Sequence, residues 1–193
     1  MKGKEVEIIK LLIENKTKEL SINQIAKLSK KDYKNTHNII TRLSKMALVK
    51  LEPFGKSHRV ILLNRISPLV FETEYLRRNE LLKNKNISVM YSYFKSLHSK
   101  LYVLLVFGSY AKKTQTKNSD IDLMFIVPDA AEEKMEREIQ NTIATLPIKI
   151  HTNIFKENDF KAMKNSKEIT VGSEAIKNNI ILHGIESYYE MIQ

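Results

Sequence analysis

Cysteine and tryptophan are absent from this 193-residue chain, and glycine and proline are scarce, at five and four residues. Without thiols there can be no disulfide framework and no thiolate zinc site, a pattern that fits a cytoplasmic protein. The five histidines, at 37, 58, 98, 151 and 183, show no paired ligand spacing, which argues against zinc altogether. No apolar run approaches the ~20 residues that span a bilayer, so no membrane segment is expected. The opening Met1-Lys2-Gly3-Lys4-Glu5 leads directly into an amphipathic stretch with no signal-peptide core, which again predicts a cytoplasmic location. There is no internal repeat and no low-complexity segment.

What is present is charge, unevenly placed. The net charge is +10, yet residues 1–100 hold 21 Lys and Arg against 9 Asp and Glu, whereas residues 101–193 hold 11 against 13. A general lysine bias would have loaded both halves. The split predicts two units with different partners, the first suited to a polyanion.

The first 65 residues parse as three helices and a hairpin. Val6, Ile8, Ile9, Leu12 and Ile13 recur at helical spacing. Ser21-Ile-Asn-Gln24 is a capping box, in which the serine hydroxyl and glutamine side chain satisfy free helix N–H groups. Asp32 can cap a third helix reaching about Met46, with Thr36, Ile39, Ile40 and Leu43 inward. Leu48–Leu51 and Arg59–Leu63 read as short strands around the turn-rich tip Pro53-Phe54-Gly55-Lys56. This order resembles a winged helix-turn-helix domain, with the third helix as the reading helix. Its outward stripe is Asn35, Asn38, Arg42 and Lys45. Asn and Arg can bond base edges bidentately, while Lys34, Lys45, Lys56 and Arg59 suit phosphates. The resemblance implies DNA as a partner; a scaffold for protein contact is the other reading.

Ser67-Pro68 opens a fourth helix, with proline at the first helical position, which ends in the polar run Lys83-Asn84-Lys85-Asn86. The expected organisation is a DNA-binding domain over 1–66, a linker helix over 67–86 and a second domain over 87–193. In that last part apolar strands at 101–107, 120–127 and 148–155 alternate with amphipathic helices, and a short strand at 180–183 precedes a final helix. The whole is expected to be α+β, the second domain having a small mixed sheet with flanking helices.

Its chemistry lies between residues 106 and 127, VFGSYAKKTQTKNSDIDLMFIV. In a strand, residues two apart share a face, so Asp120 and Asp122 project together while Ile121 and Leu123 turn away. Two carboxylates that close need a cation between them, and Mg²⁺ prefers one or two carboxylates plus substrate phosphate oxygens. The Gly108-Ser109 turn supplies the phosphate side: glycine allows close backbone approach, and a free helix N-terminus with a hydroxyl suits an anion.

Gly108-Ser109, ten intervening residues and then Asp120-Ile121-Asp122 resemble the signature of the DNA polymerase beta nucleotidyltransferase superfamily, most closely its minimal nucleotidyltransferase branch. The resemblance spans about residues 88–193. It implies an NTP bound through Mg²⁺ and nucleotidyl transfer to a hydroxyl with release of pyrophosphate. Gly108, Ser109 and Lys112 would hold the nucleotide, and Asp120 and Asp122 the metal. Lys112 stands where the family has arginine, keeping the charge but not the bidentate fork.

The family also places a third carboxylate on the next strand. Here that strand reads Ile148-Lys149-Ile150-His151-Thr152-Asn153, without an acid; Glu157 and Asp159 lie beyond it. Counting back from Phe155, His151 rather than Lys149 is expected at the vacant position. A neutral imidazole can bind a metal or act as a weak base, whereas a lysine would repel the ion. His151 therefore joins Asp120 and Asp122 as a catalytic candidate, and slow transfer is expected. Members of the branch often modify a partner protein, which makes a partner protein one expected acceptor; a nucleic-acid end is another. The alternative is a transcription regulator whose nucleotidyltransferase fold serves as a nucleotide sensor or dimerisation module. Such regulators are commonly homodimers on two-fold sites.

Overall fold

The structure is a computed structural model that describes residues 2–55, 57–63, 66–97, 99–165 and 170–193. Lys56, one of the expected phosphate contacts, lies outside the described residues. The chain divides at Tyr75/Leu76 into two compact units.

The first unit holds α1 (Lys2–Glu14), α2 (Ile22–Leu28), α3 (Tyr33–Lys45), β1 (Val49–Phe54) and β2 (Ser57–Leu62). Local chemistry sets the helix starts. The Ser21 hydroxyl accepts from the Gln24 N–H at 3.3 Å while the Ser21 N–H donates to Gln24 Oε1 at 2.8 Å, and Asp32 accepts from the Asn35 N–H at 2.7 Å. Ile8 and Ile9 of α1, Ile25 of α2 and Ile39, Ile40 and Leu43 of α3 are fully buried and form the shared core. The hairpin is longer than its sequence suggests. Pro53 pairs with His58 and Phe54 with Ser57, so the strand runs through what reads as turn, and the reversal falls on Gly55 at φ +57°. In a two-stranded ribbon each strand is an edge, where proline costs no ladder bond. A second addition comes from the segment between α1 and α2: the Val60 N–H donates to the Leu20 carbonyl at 2.8 Å, and Ser21 bridges to Arg59.

The helix α4 (Pro68–Leu81) begins before the division and ends within the second unit, which continues with α5 (Lys85–Phe94), β3 (Val103–Val106), α6 (Gly108–Lys112) and β4 (Ile121–Val127). A 3₁₀ turn at Asp129–Ala131 leads to α7 (Glu132–Ala144), followed by β5 (Ile150–Lys156), α8 (Glu157–Asn165), α9 (Val171–Lys177), β6 (Ile180–His183) and α10 (Ile185–Ile192). The sheet order is β5-β4-β3-β6. β3 is antiparallel to both neighbours, while β4 and β5 are parallel, so the sheet is mixed. The parallel pair needs a crossover, and α7 supplies it.

Both central strands are buried on both faces, which explains their continuous apolar runs. Ile121, Leu123, Phe125 and Val127 of β4 join Leu104 and Val106 of β3 in one core layer with Ile87, Met90 and Phe94 of α5 and Met135 and Ile139 of α7. Met124 and Ile126 point to the opposite face, where α8 and α10 bring the buried Phe160, Tyr188 and Tyr189. Among the described residues no helix is long and apolar enough to cross a membrane.

Phe125 is the keystone of the first layer, edge-on to Phe94 at 5.0 Å between ring centroids and fully buried. Phe125→Ala is expected to destabilise the second unit by about 3–5 kcal/mol through lost transfer energy and a residual cavity. Urea unfolding followed by circular dichroism checks this; a loss below about 1 kcal/mol contradicts the packing described.

Candidate active site

β3 delivers the chain to the site and a single glycine turns it. The Phe107 N–H donates to the Asp122 carbonyl at 3.1 Å, closing the β3–β4 ladder. Gly108 then takes φ +64° and starts α6. A Cβ added at residue 108 would lie 2.1 Å from Asp122 Oδ2, so the carboxylate occupies the space that glycine leaves free. The left-handed φ and the close approach both require glycine here.

β5 brings the third group. The Ile121 N–H donates to the Lys149 carbonyl at 3.0 Å, and the register places Asp122 opposite His151. His151 Nε2 lies 3.4 Å from Asp120 Oδ2, and its Nδ1 lies 3.8 Å from Asp122 Oδ1. Lys149 is exposed one residue before β5 and contributes its carbonyl to the ladder. The two acids are about 30 % exposed, whereas the imidazole is 69 % exposed. Burial pushes the Asp122 carboxyl up; the facing His151 opposes that shift, and the Asp120 charge adds to it.

Ser109 sits in the first turn of α6, half-buried, and its carbonyl accepts from the Thr114 N–H at 3.0 Å. Lys112, at the end of that helix, is paired: its Nζ lies 2.6 Å from Glu174 Oε1 of α9. No acid occurs along β5, and Glu157 and Asp159 belong to the first turn of α8. Among the described residues no three His, Asp or Glu side chains are grouped tightly enough to hold a metal by themselves. The donor set nevertheless fits a hard divalent ion of the kind that draws its remaining ligands from a bound triphosphate, because such an ion asks the protein for only one or two carboxylates.

The basic residues of the first unit are only partly available. Arg42 lies on α3 but its Nη2 is 2.9 Å from Glu5 Oε1, a residue that is itself buried. Arg59 is held by Glu52 at 2.9 Å and by Glu19. The exposed residues of the expected stripe are Asn38, Arg42 and Lys45, joined by Lys34; Asn35 is half-buried near the cap of α3. Lys34 and Lys45 make no ion pair among the described residues. Glu5 and Glu19 lie far in sequence from Arg42 and Arg59, whereas Glu52 faces Arg59 directly across the β1–β2 hairpin.

Residues 91–187, half of the chain, match the family model described as Polymerase beta, Nucleotidyltransferase. Residues 1–64 match a second family model, described only as HVO_A0114. No curated protein and no solved structure matches the chain.

The raised Asp122 pKa has a consequence for stability. The carboxyl is harder to ionise folded than unfolded, so its contribution is fullest below the ordinary carboxylate range and is lost as pH rises through the folded-state pKa. Asp122→Asn avoids that loss. The ion-free variant is expected to melt above the parent at neutral pH, with the gap closing as pH falls to about 4. Thermal melts in chelator at both pH values check this, and a parent that melts as high as the variant at neutral pH contradicts it.

Proposed function

The chain belongs to the polymerase beta nucleotidyltransferase family, and from that premise we propose that it binds Mg²⁺–NTP through Asp120 and Asp122 and transfers a nucleotidyl group to a hydroxyl of a partner protein or nucleic acid. The observation that carries the reading is the Asp122 carboxylate seated against Gly108, with Asp120 near it, where β3 ends and β4 begins. A divalent ion held there would offset the charge of the triphosphate and anchor it. Gly108 and Ser109 present the start of α6 to the phosphates. Lys112 adds a cation to that side only if it leaves Glu174. In the transfer, the acceptor oxygen bonds to the α-phosphorus, the bond from that phosphorus to the α,β-bridging oxygen breaks, and pyrophosphate leaves. The acceptor proton passes to a base, for which the His151 imidazole is the candidate.

A second reading keeps nucleotide binding and drops the transfer, making the domain a sensor or dimerisation module in a regulator. The lack of any acid along β5 favours it. Incubation of the full chain with labelled NTPs, Mg²⁺ and candidate acceptors separates the two readings. The parent is also expected to melt higher with Mg²⁺ and NTP than with NTP alone, and Asp122→Ala to lose that difference. Covalent label on an acceptor supports transferase activity; a melting shift without label supports the sensor. A full Mg²⁺-dependent shift in Asp122→Ala removes the site assignment.

For the first unit we propose DNA binding in the manner of a winged helix-turn-helix, supported by its three helices and hairpin and by the exposed Asn38, Lys34 and Lys45 around α3. Because Arg42 and Arg59 are already paired with acids, the lysines carry the phosphate contacts in this proposal. Replacing Lys34 and Lys45 with alanine is expected to weaken binding to duplex DNA and to lower the salt slope of log affinity by about two. Fluorescence anisotropy across a salt series tests it. Binding indifferent to salt, or unchanged in the double variant, points to a protein-contact role.

A further inference from the structure

Residues 81–119 hold seven lysines and no aspartate, glutamate or arginine, although the chain carries 22 acids. A general lysine bias does not produce that gap, because acids resume at Asp120 and crowd α7 with Glu132, Glu133, Glu136 and Glu138. The fold gathers part of this acid-free stretch at the end of the sheet where the site lies. The Thr116 N–H donates to Ser119 Oγ at 2.9 Å, so the exposed Lys117 sits on a closed turn three residues before Asp120. Lys113 Nζ of the same loop lies 3.6 Å from Glu80 Oε1 in the last turn of α4. That contact brings the loop beside the α4–α5 junction and its exposed Lys83 and Lys85. Glu174 and Glu80 engage Lys112 and Lys113, whereas Lys83, Lys85 and Lys117 make no ion pair among the described residues. Cations left unpaired on an acid-free surface keep their field for a polyanion.

α5 continues that surface away from the junction. Ile87, Met90, Tyr91 and Phe94 form its buried side. The outer side carries Lys85, Ser88, Ser92 and Tyr93, and Tyr93 is 45 % exposed. Lysines with an exposed aromatic ring are the two parts by which proteins hold unpaired strands: cations meet the phosphates and the ring stacks on a base. A duplex keeps its base faces covered, and an acidic protein would use the lysines but not the ring.

We propose that the second unit binds single-stranded nucleic acid through Lys83, Lys85, Lys117 and Tyr93, and that the end of such a strand is the acceptor. This inference rests on the nucleotidyl-transfer reading above and names its acceptor. The terminal hydroxyl oxygen of the strand bonds to the α-phosphorus of the NTP and pyrophosphate leaves. The hydroxyl proton passes to the base already named, and the strand gains one nucleotide. Lys117 and the junction lysines offset the phosphates nearest the site, while Tyr93 stacks on a base further along α5.

The probes are fluorescent, unstructured oligonucleotides of mixed sequence, one of RNA and one of DNA, which also separate the two sugars. Anisotropy is read across a salt series on the full chain carrying Lys34→Ala and Lys45→Ala, so that the first unit contributes least. Adding Lys83→Ala, Lys85→Ala and Lys117→Ala is expected to weaken binding on the order of tenfold or more and to lower the salt slope of log affinity by about two. Tyr93→Ala alone is expected to weaken it on the order of tenfold with the salt slope unchanged, because stacking releases no counterions. With Mg²⁺ and labelled NTP the bound strand is expected to take up label, and a strand lacking its terminal hydroxyl is not. Binding that survives the three lysine replacements overturns the inference. So does a Tyr93→Ala chain that binds undiminished while polyglutamate competes as well as the strand, a result that assigns the surface to an acidic protein. A chain that labels a protein acceptor but never the bound strand overturns the acceptor assignment and leaves the nucleotide reading standing. If Mg²⁺ and NTP give no melting shift while the strand still binds through these residues, the nucleotide reading fails, the acceptor assignment falls with it and the strand-binding surface remains. Melting curves for each variant confirm that the fold is retained.

Discussion

The carboxylate of Asp122 lies where a side chain on residue 108 would otherwise be, and much of the site's geometry depends on that contact. It fixes residue 108 as glycine, because a Cβ would fall 2.1 Å from the oxygen and the backbone is left-handed. It ties the end of β3 to the start of β4, which also share the hydrogen bond from the Phe107 N–H to the Asp122 carbonyl. It partly buries the acid, and the burial raises its pKa. Burial disfavours the charged form of the carboxylate, a cost that a positive charge placed beside it offsets.

The surrounding fold serves to hold that contact rigid. β3 and β4 are covered on both faces, with α5 and α7 packed on one side and α8 and α10 on the other. The crossover through α7 returns the chain as the parallel edge strand β5, which is why His151 rather than a residue of a neighbouring hairpin comes to face the acids. The face shared by Asp122 and His151 is open only where the sheet ends; further along it, Met124 and Ile126 are buried. Polar chemistry is thus confined to the strand ends, where water and ligands can reach it.

Charge in the first unit follows a different logic. Its surplus of lysine and arginine reads as a uniform basic surface, but Glu5, Glu19 and Glu52 claim both arginines expected to meet a polyanion. Arginine is well suited to such pairing, and Arg42, although exposed, is engaged by Glu5, whereas the exposed Lys34 and Lys45 make no ion pair among the described residues. The same competition recurs in the second unit, where Glu174 holds Lys112.

What the sequence by itself determined was local. The capping box at Ser21–Gln24, the Asp32 cap, the apolar strands and the helical periodicities arise from interactions within about four residues or from burial on one face, and these leave a spacing that can be read. The closeness of Asp120 and Asp122 to each other at the start of β4 was legible for a similar reason, since extended chain aligns residues two apart. Only the tertiary structure decided the rest. The extension of β1 through Pro53 depends on the hairpin's open edges, and the attachment of Leu20 and Ser21 to β2 depends on how the helices pack. The register that sets His151 against Asp122, and the pairings of Arg42 with Glu5, Arg59 with Glu19 and Lys112 with Glu174, join residues whose separation in the chain carries no periodic signal. Their partners are chosen by the path of the backbone through space, which no single segment encodes.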